Sequence, residues 1–412
     1  MASDTRYLIV GGGLAAARAV EGIREVDAEG PITVVTAEPH LPYERPPLSK
    51  GVLLESDEAS SAIPHDAGWY TERNATVITG DAVTAVDPTV RTVTLASDQQ
   101  LDWDRLLLAT GSSVRQLSVP GAELAGVHYL RTMDDSLALL EVIRAGGDLV
   151  VVGAGWIGLE VSAAAREHGC RVTVVDPQPA PLLAVMGERV GGWFADLHRS
   201  HGVEFRLGTG VDRFEGTDAV TGVVTSDGET LPADAVVVGV GIRPNTELAE
   251  AAGAEVDNGV LTDEHLRTSL ADVWAAGDVA NWLSPLLGTH LRVEHWANAN
   301  DSGFDAGRAM AGADVTYDPV PFFFSDQYDA GLEYTGYVGR DTAAEVVLRG
   351  DPAEGAFLAF WVVPQADGVR VLAGMHVNTW DTIDAISALI RSGATVDRAR
   401  LADPAVPLDH LA

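Results

Sequence analysis

Two short glycine-rich runs carry the most chemical information in this chain. The first is Gly11-Gly12-Gly13-Leu14-Ala15-Ala16, directly after the apolar run Tyr7-Leu8-Ile9-Val10. The second is Gly153-Ala154-Gly155-Trp156-Ile157-Gly158, directly after Leu149-Val150-Val151-Val152. Each follows a run of strand character and opens a stretch of helical character. Each is followed by a second Val-rich strand ending near an acid: Ile32 to Val35 and then Glu38, Val172 to Val175 and then Asp176. That context is what a dinucleotide fingerprint requires. The glycines let backbone approach a pyrophosphate, and the helix N-terminus meets its charge with a partial positive charge. One such run alone is compatible with a tight structural turn. Two, each in full βαβ context, point to two nucleotide sites and so to two cofactors passing electrons, a flavin and a nicotinamide.

Lysine usage is the second signal. Of 27 basic residues, Lys50 is the only lysine, in Pro46-Pro47-Leu48-Ser49-Lys50; all the others are arginine. Such a residue is either a chance survivor on a surface loop or part of a site that needs a compact ammonium rather than a planar fork.

The elements around these residues repeat a pattern. Residues 1–115 read as βαβ followed by mixed strand and loop, closing in Arg105-Leu106-Leu107-Leu108-Ala109-Thr110-Gly111. Residues 116–244 hold the second βαβ and close in Ala235-Val236-Val237-Val238-Gly239-Val240-Gly241. Residues 245–318 carry another strand, Val273-Trp274-Ala275-Ala276, ending at Gly277-Asp278. From about 319 short aromatic and Val-rich runs precede a helical stretch from Asp381 to Arg391, which reads as an α+β domain. The expected fold is α/β: two Rossmann-like nucleotide domains, the second inserted in the first, plus a C-terminal α+β domain. The boundaries expected are 1–115 and 245–318 for the first, 116–244 for the second, and 319–412 for the third.

Composition bounds the function classes. A chain of 412 residues predicts two or three domains, and 46% apolar content supplies large cores. No 18-residue uncharged apolar stretch is present, so no membrane span is expected. Met1 to Arg6 leads into the first strand without an apolar signal region, which reads as cytoplasmic. A net charge of −33 argues against nucleic acid and anionic membranes, and fits either high-salt adaptation or a high-GC proteome. The single cysteine, Cys170, rules out an internal disulfide and a CxxC pair, and reads as a small core residue.

Taken in order, the motifs resemble the two-dinucleotide-domain flavoprotein reductases. The nearest branch is the FAD-dependent, NADH-using ferredoxin reductases of the putidaredoxin reductase type, which serve oxygenases and P450s. The resemblance covers residues 6–410. It rests on the two Gly turns, Pro46 to Lys50, Ala109-Thr110-Gly111, Gly239-Val240-Gly241-Ile242-Arg243-Pro244-Asn245, Gly277-Asp278, Glu294 to Asn298, and Ser325-Asp326-Gln327-Tyr328.

The resemblance implies FAD at the first site, held by Gly11, Gly13, Leu14, Ala15, Glu38, Arg45, Lys50, Val83, Ala109, Thr110, Gly111, Arg131, Gly277, Asp278 and Trp296. Ala16 replaces the third glycine. Glu38 would accept from the adenosine ribose, and Asp278 would hold a ribityl hydroxyl or act as an ordinary N-cap. NADH would occupy the second site, at Gly153, Gly155, Trp156, Ile157, Gly158, Asp176 and Gly241. A carboxylate at Asp176 bonds a 2′-hydroxyl and repels a 2′-phosphate, and Pro177-Gln178-Pro179-Ala180-Pro181 offers no arginine to grip one. NADH is therefore expected over NADPH.

Catalysis falls, by the same resemblance, to Lys50 under the flavin near N5, paired with Glu160. Hydride arrival puts negative charge on the flavin, which nearby positive charge stabilises. On the residues alone, Glu160 could equally be a helix-surface acid. The segment Pro321-Phe322-Phe323-Phe324-Ser325-Asp326-Gln327-Tyr328 would lie over the flavin's other approach, or simply pack a strand. Several members of the family carry tryptophan where Phe322 and Phe324 stand, so the resemblance implies an aromatic wall near the flavin but not a charge-transfer role specific to an indole.

The implied partner is a [2Fe–2S] ferredoxin, with no nucleic acid or membrane, and the protein a monomer or homodimer. The competing readings are an NADH oxidase or quinone reductase, and a redox switch like apoptosis-inducing factor. Residues 319–412 hold 13 acids and 6 arginines, so docking of an acidic ferredoxin would need a local patch, for which Arg308, Arg391, Arg398 and Arg400 are candidates.

Overall fold

The computed structural model describes residues 5–339 and 341–411. The chain forms two compact units. The first takes in the chain up to Pro47, then Ala59–Ser113 and Ile242–Pro321; the second takes in Leu48–Glu58, Val114–Gly241 and everything from Phe322 on.

Unit one is built on a five-stranded parallel sheet in the order Val273–Ala275, Arg105–Leu108, Tyr7–Val10, Ile32–Val35, Ala75–Ile78. The central strand is buried on both faces, which is why it reads as a continuous apolar run rather than an alternating one. Helix Leu14–Val26 follows it and packs on helix Trp296–Met310. Small residues allow that approach: a Cβ at Gly22, Gly303 or Gly307 would collide with the backbone of Phe304, Ala15 or Ala19 respectively. An antiparallel meander, Val83–Asp87, Thr92–Leu95 and Gln100–Asp102, supplies Val86, Val93 and Leu95 to the core around Leu8, Val10 and Leu106.

Unit two has its own five-stranded parallel sheet, in the order Glu204–Leu207, Arg171–Asp176, Asp148–Val152, Ala235–Val238, Val127–Tyr129. It also holds the antiparallel C-terminal sheet, in the order Phe322–Gln327, Ala330–Gly336, Gly368–Val377, Phe357–Gln365, Glu345–Arg349, with Thr395–Val396 added beside Gly368–Val377. Helices Trp156–Glu167 and Leu183–Ser200 connect the two sheets through an apolar cluster that includes Leu159, Met186, Phe194, Tyr334 and Trp361.

The short segment Leu48–Glu58 joins unit two although unit one flanks it on both sides. Leu53 is fully buried in the core with Leu139, Val151 and Val161. The carbonyl of Leu48 accepts the Ser136 hydroxyl at 2.7 Å, and that of Leu53 lies 2.8 Å from His168 Nε2. These contacts set the position of Lys50. Among the described residues, no helix is long and apolar enough to cross a membrane.

Candidate active site

In unit one, three adjacent parallel strands end side by side, and the expected flavin-site residues stand at those ends. Gly11 follows Tyr7–Val10, Ala109 follows Arg105–Leu108, and Gly277 follows Val273–Ala275 after one residue. The C-terminal edge of such a sheet is where open α/β folds bind ligands. Gly11 has φ +145°, and a Cβ there would collide with the Ala109 carbonyl, so only glycine fits. At Gly13 a Cβ would meet no atom within 4 Å. Gly13 caps helix Leu14–Val26 without a side-chain hydrogen bond, leaving its first N–H groups for an anion.

Around this edge the other residues are held by their own partners. Glu38 accepts from the Tyr43 hydroxyl and, at 3.5 Å, from Arg45, whose guanidinium lies over the Tyr43 ring. Thr110 donates its hydroxyl to the Asn245 carbonyl and receives the Asn245 amide, each at 2.8 Å, which ties the strand end beside Gly111 to the returning chain. Gly277 donates its N–H to Ser302 at 2.9 Å, with Asp278 in the short turn Gly277–Val279. Trp296 donates to Glu44 at 2.9 Å, and Val83 is partly buried against the core. Lys50 and Arg131, expected at the same cofactor, belong to unit two.

The second Gly turn repeats the geometry. Gly153 has φ +107°, and a Cβ there would strike the Gly239 carbonyl; a Cβ at Gly158 would strike the carbonyl of Gly153. Gly155, like Gly13, caps its helix without a side-chain bond and has no atom within 4 Å of where a Cβ would stand. Asp176 accepts the Ala154 N–H through one oxygen and the Gln178 N–H through the other, both at 2.7 Å. The carboxylate is thus aimed at the turn while each oxygen keeps a lone pair. Ile157 is exposed, Gly241 takes a positive φ of 97°, and Trp156 packs edge-on against Phe194 and Phe323.

Also within unit two, Lys50 and Glu160 meet. The ammonium lies 3.7 Å from Glu160 Oε1, 3.4 Å from Asp326 Oδ2 and 4.4 Å from the centre of the Phe324 ring. Glu160 is 6% exposed on helix Trp156–Glu167, so it is not a helix-surface acid. Burial pushes its carboxyl above the usual range; Lys50 and the hydroxyls of Ser325 and Ser49 oppose the rise without cancelling it, and the Asp326 charge adds to it. Ser49 donates to Oε2 at 2.5 Å and Ser325 to Oε1 at 2.6 Å.

Behind Ser325 the polar chain continues. Gln327 donates its amide N–H to Ser325 Oγ at 3.1 Å, and its Oε1 lies 2.8 Å from His198 Nε2. Tyr328 lies 3.3 Å from His198 Nδ1 and stacks on His201. Burial lowers the His198 imidazole to about 4, against a smaller upward pull from Gln327 and a further lowering by His201. His198 is therefore neutral, with Nε2–H donating to Gln327 and Nδ1 accepting from Tyr328. Sequence reasoning missed this extension. Ser325 and Gln327 lay inside a quoted motif, but nothing in the helix sequence distinguished His198 from the other scattered histidines.

The lone thiol of Cys170 is buried and donates to the Ile143 carbonyl at 3.4 Å. No cluster of three metal-ligating side chains occurs among the described residues.

Comparison with known proteins agrees with this architecture. The family described as pyridine nucleotide-disulphide oxidoreductase matches residues 5–303, and the reductase C-terminal family matches residues 322–412. A ferredoxin–NAD(+) reductase component of the anthranilate 1,2-dioxygenase system of Burkholderia cepacia is 40% identical over 402 residues, 98% of each chain. The crystal structure of a ferredoxin reductase for the CYP199A2 system from Rhodopseudomonas palustris superposes with TM-score 0.92 at 35% identity, covering 99% of each chain. That of a covalent putidaredoxin reductase–putidaredoxin complex gives TM-score 0.93 at 36% identity, covering 99% of this chain and 98% of that one. Two Gly turns, each at a helix start without a side-chain cap on a parallel sheet, followed by a C-terminal antiparallel sheet, accompany the family matches that make this chain a member of the pyridine nucleotide-disulphide oxidoreductase family with a reductase C-terminal domain.

Proposed function

We propose that the protein is an NADH-dependent flavoprotein reductase. It passes electrons from NADH through FAD to a [2Fe–2S] ferredoxin that serves a P450 or ring-hydroxylating oxygenase. The observation that carries this assignment is the pairing of the only lysine with a buried glutamate inside a hydroxyl cage. A single cysteine leaves no intrachain dithiol through which electrons could pass, so the electrons go to an external acceptor. Ferredoxin as that acceptor is supported by relatives of matching length named as ferredoxin reductase components.

Both Gly turns fit a dinucleotide: each has a glycine whose Cβ would fill the approach and a helix start with no side-chain cap. FAD is assigned to the turn at Gly11–Gly13 and NADH to the turn at Gly153–Gly158. FAD, when bound, takes up a hydride and gives out single electrons. The chain's own part is electrostatic. Lys50 supplies positive charge that opposes the negative charge arriving with the hydride, and Glu160 holds Lys50 in place. Asp176 selects the 2′-hydroxyl of NADH. Three domains with the boundaries given above, and a cytoplasmic location where NADH is supplied, belong to the same proposal.

The test is anaerobic rapid mixing of NADH-reduced protein with a [2Fe–2S] ferredoxin, following flavin reoxidation and iron–sulfur bleaching together. Fast, saturable transfer is expected. Flavin that stays reduced with several ferredoxins but reoxidises with oxygen or a quinone overturns the acceptor assignment.

A further inference from the structure

The polar chain behind Glu160 has a single sense. The neutral His198 donates to Gln327 Oε1, which orients the amide so that its NH2 group faces Ser325 Oγ at 3.1 Å. The Ser325 oxygen thus accepts from Gln327, and its hydroxyl proton is directed to Glu160 Oε1 at 2.6 Å. Ser49 donates to the other oxygen at 2.5 Å. Of the two hydroxyls, that of Ser325 has its direction fixed by a further donor, the Gln327 amide. A carboxylic acid could not place its own proton in the Oε1–Ser325 contact, and a donor fixed there favours the carboxylate, which accepts more strongly than a neutral carboxyl.

We propose that Ser325, Gln327 and His198 are positioning residues that keep Glu160 ionised despite its burial, and that this anion is what anchors Lys50. The proposal rests on the assignment of Lys50 and Glu160 to the flavin site. Burial alone favours the neutral carboxyl, and a neutral Glu160 would leave Lys50 with Asp326 as its anionic partner, which is 59% exposed and so weaker and solvent-screened. The charged and titratable groups around Glu160 are Lys50 and Asp326, with His198, Tyr328 and His201 at the far end of the chain. Gln327 cannot pass a proton readily, so the chain sets orientation and does not conduct.

Removing one hydroxyl donor from a carboxylate raises its protonation pH by about one unit, a tenfold change in the equilibrium. The experiment compares wild type, Ser325→Ala, Ser325→Thr and Gln327→Leu as FAD-loaded proteins. Two quantities are read across pH. One is the carboxylic-acid carbonyl band in infrared difference spectra, assigned by its absence in Glu160→Gln. The other is the limiting rate of flavin reduction by NADH. In Ser325→Ala the carboxylic-acid band is expected to persist to a pH about one unit higher than in wild type, and the reduction rate to fall away about one unit sooner as pH is lowered. Ser325→Thr, which keeps the hydroxyl, restores both. Gln327→Leu moves both the same way by less, because Ser325 keeps its hydroxyl but loses its orientation. Unchanged infrared and rate profiles in Ser325→Ala overturn the proposal. A wild-type protein that binds FAD but is not reduced by NADH instead overturns the functional assignment beneath it, so the two failures are distinguishable.

Discussion

The ammonium of Lys50 lies 3.7 Å from Glu160 Oε1, with both groups in the same compact unit and neither more than 14% exposed. At that distance and burial the pair is screened far less than a surface ion pair, so losing one partner leaves a costly charge behind.

Lys50→Met is therefore expected to slow flavin reduction by NADH by about tenfold or more, with a much smaller effect on FAD retention. Lys50→Arg should recover little, since a planar fork does not reproduce a compact ammonium between Glu160, Asp326 and the Phe324 ring. Rapid mixing with NADH and fluorimetric FAD release measure the two effects. An unchanged reduction rate in Lys50→Met removes the residue from the chemistry.

Coenzyme choice should follow Asp176, whose two oxygens are held by the N–H groups of Ala154 and Gln178. NADH is expected to be preferred over NADPH by at least about tenfold in kcat/KM, corresponding to about 1.4 kcal/mol. Asp176→Ala with Gln178→Arg should narrow or reverse that ratio. Equal use of both coenzymes by the unaltered protein would contradict the assignment.

His198 gives a pH prediction with a definite sign. Its folded value of about 4 lies below the ordinary 6.5, so between those limits the unfolded chain binds a proton that the folded protein does not. Its contribution to stability is present above pH 6.5 and is lost as pH falls toward 4, about 3 kcal/mol in all. In denaturant titrations of the holoprotein, His198→Asn should flatten the pH dependence over that window. An identical slope in the variant rules His198 out as its source.

Gly307→Ala tests the packing beneath the first Gly turn. The added Cβ would strike the backbone of Ala19, and helix backbones cannot yield as a side chain can. A loss of about 1–3 kcal/mol and a lower Tm are expected. Gly312→Ala makes a poor control, because Gly312 has φ +101°. Gly192→Ala, with no atom within 4 Å, should cost little.

Charge reversal at Arg398 and Arg400 asks whether the C-terminal arginines receive the partner. Arg398 is already paired with Glu345, and Arg400 donates to the His410 carbonyl at 2.7 Å. Both are thus engaged within the chain, and the KM for ferredoxin is expected to change by less than about threefold, in line with the small energies of exposed pairs. A large increase in KM would make them part of the docking surface.

The two Gly turns, the βαβ units behind both parallel sheets and the α+β character of the C-terminal region were legible in the sequence because each depends on local signals. Tyr7–Val10 and Asp148–Val152 are continuous apolar runs, and Gly11 and Gly153 are forced by positive φ and a neighbouring carbonyl. Periodicity and backbone sterics act over a few residues, so a few residues reveal them. Lys50 stood out for a compositional reason, as the one lysine among arginines. Its environment did not. Burial of Leu53 draws Leu48–Glu58 into unit two, and only that packing sets Lys50 beside Glu160, Asp326 and Phe324. The same holds for the line from Ser325 through Gln327 to His198, whose members come from a strand and a helix far apart in the chain. A hydrogen-bond chain has no sequence period, and burial sets both the protonation of its ends and the sense in which it runs. Those properties are decided by what surrounds each group in three dimensions, which residue order alone does not encode in any local pattern.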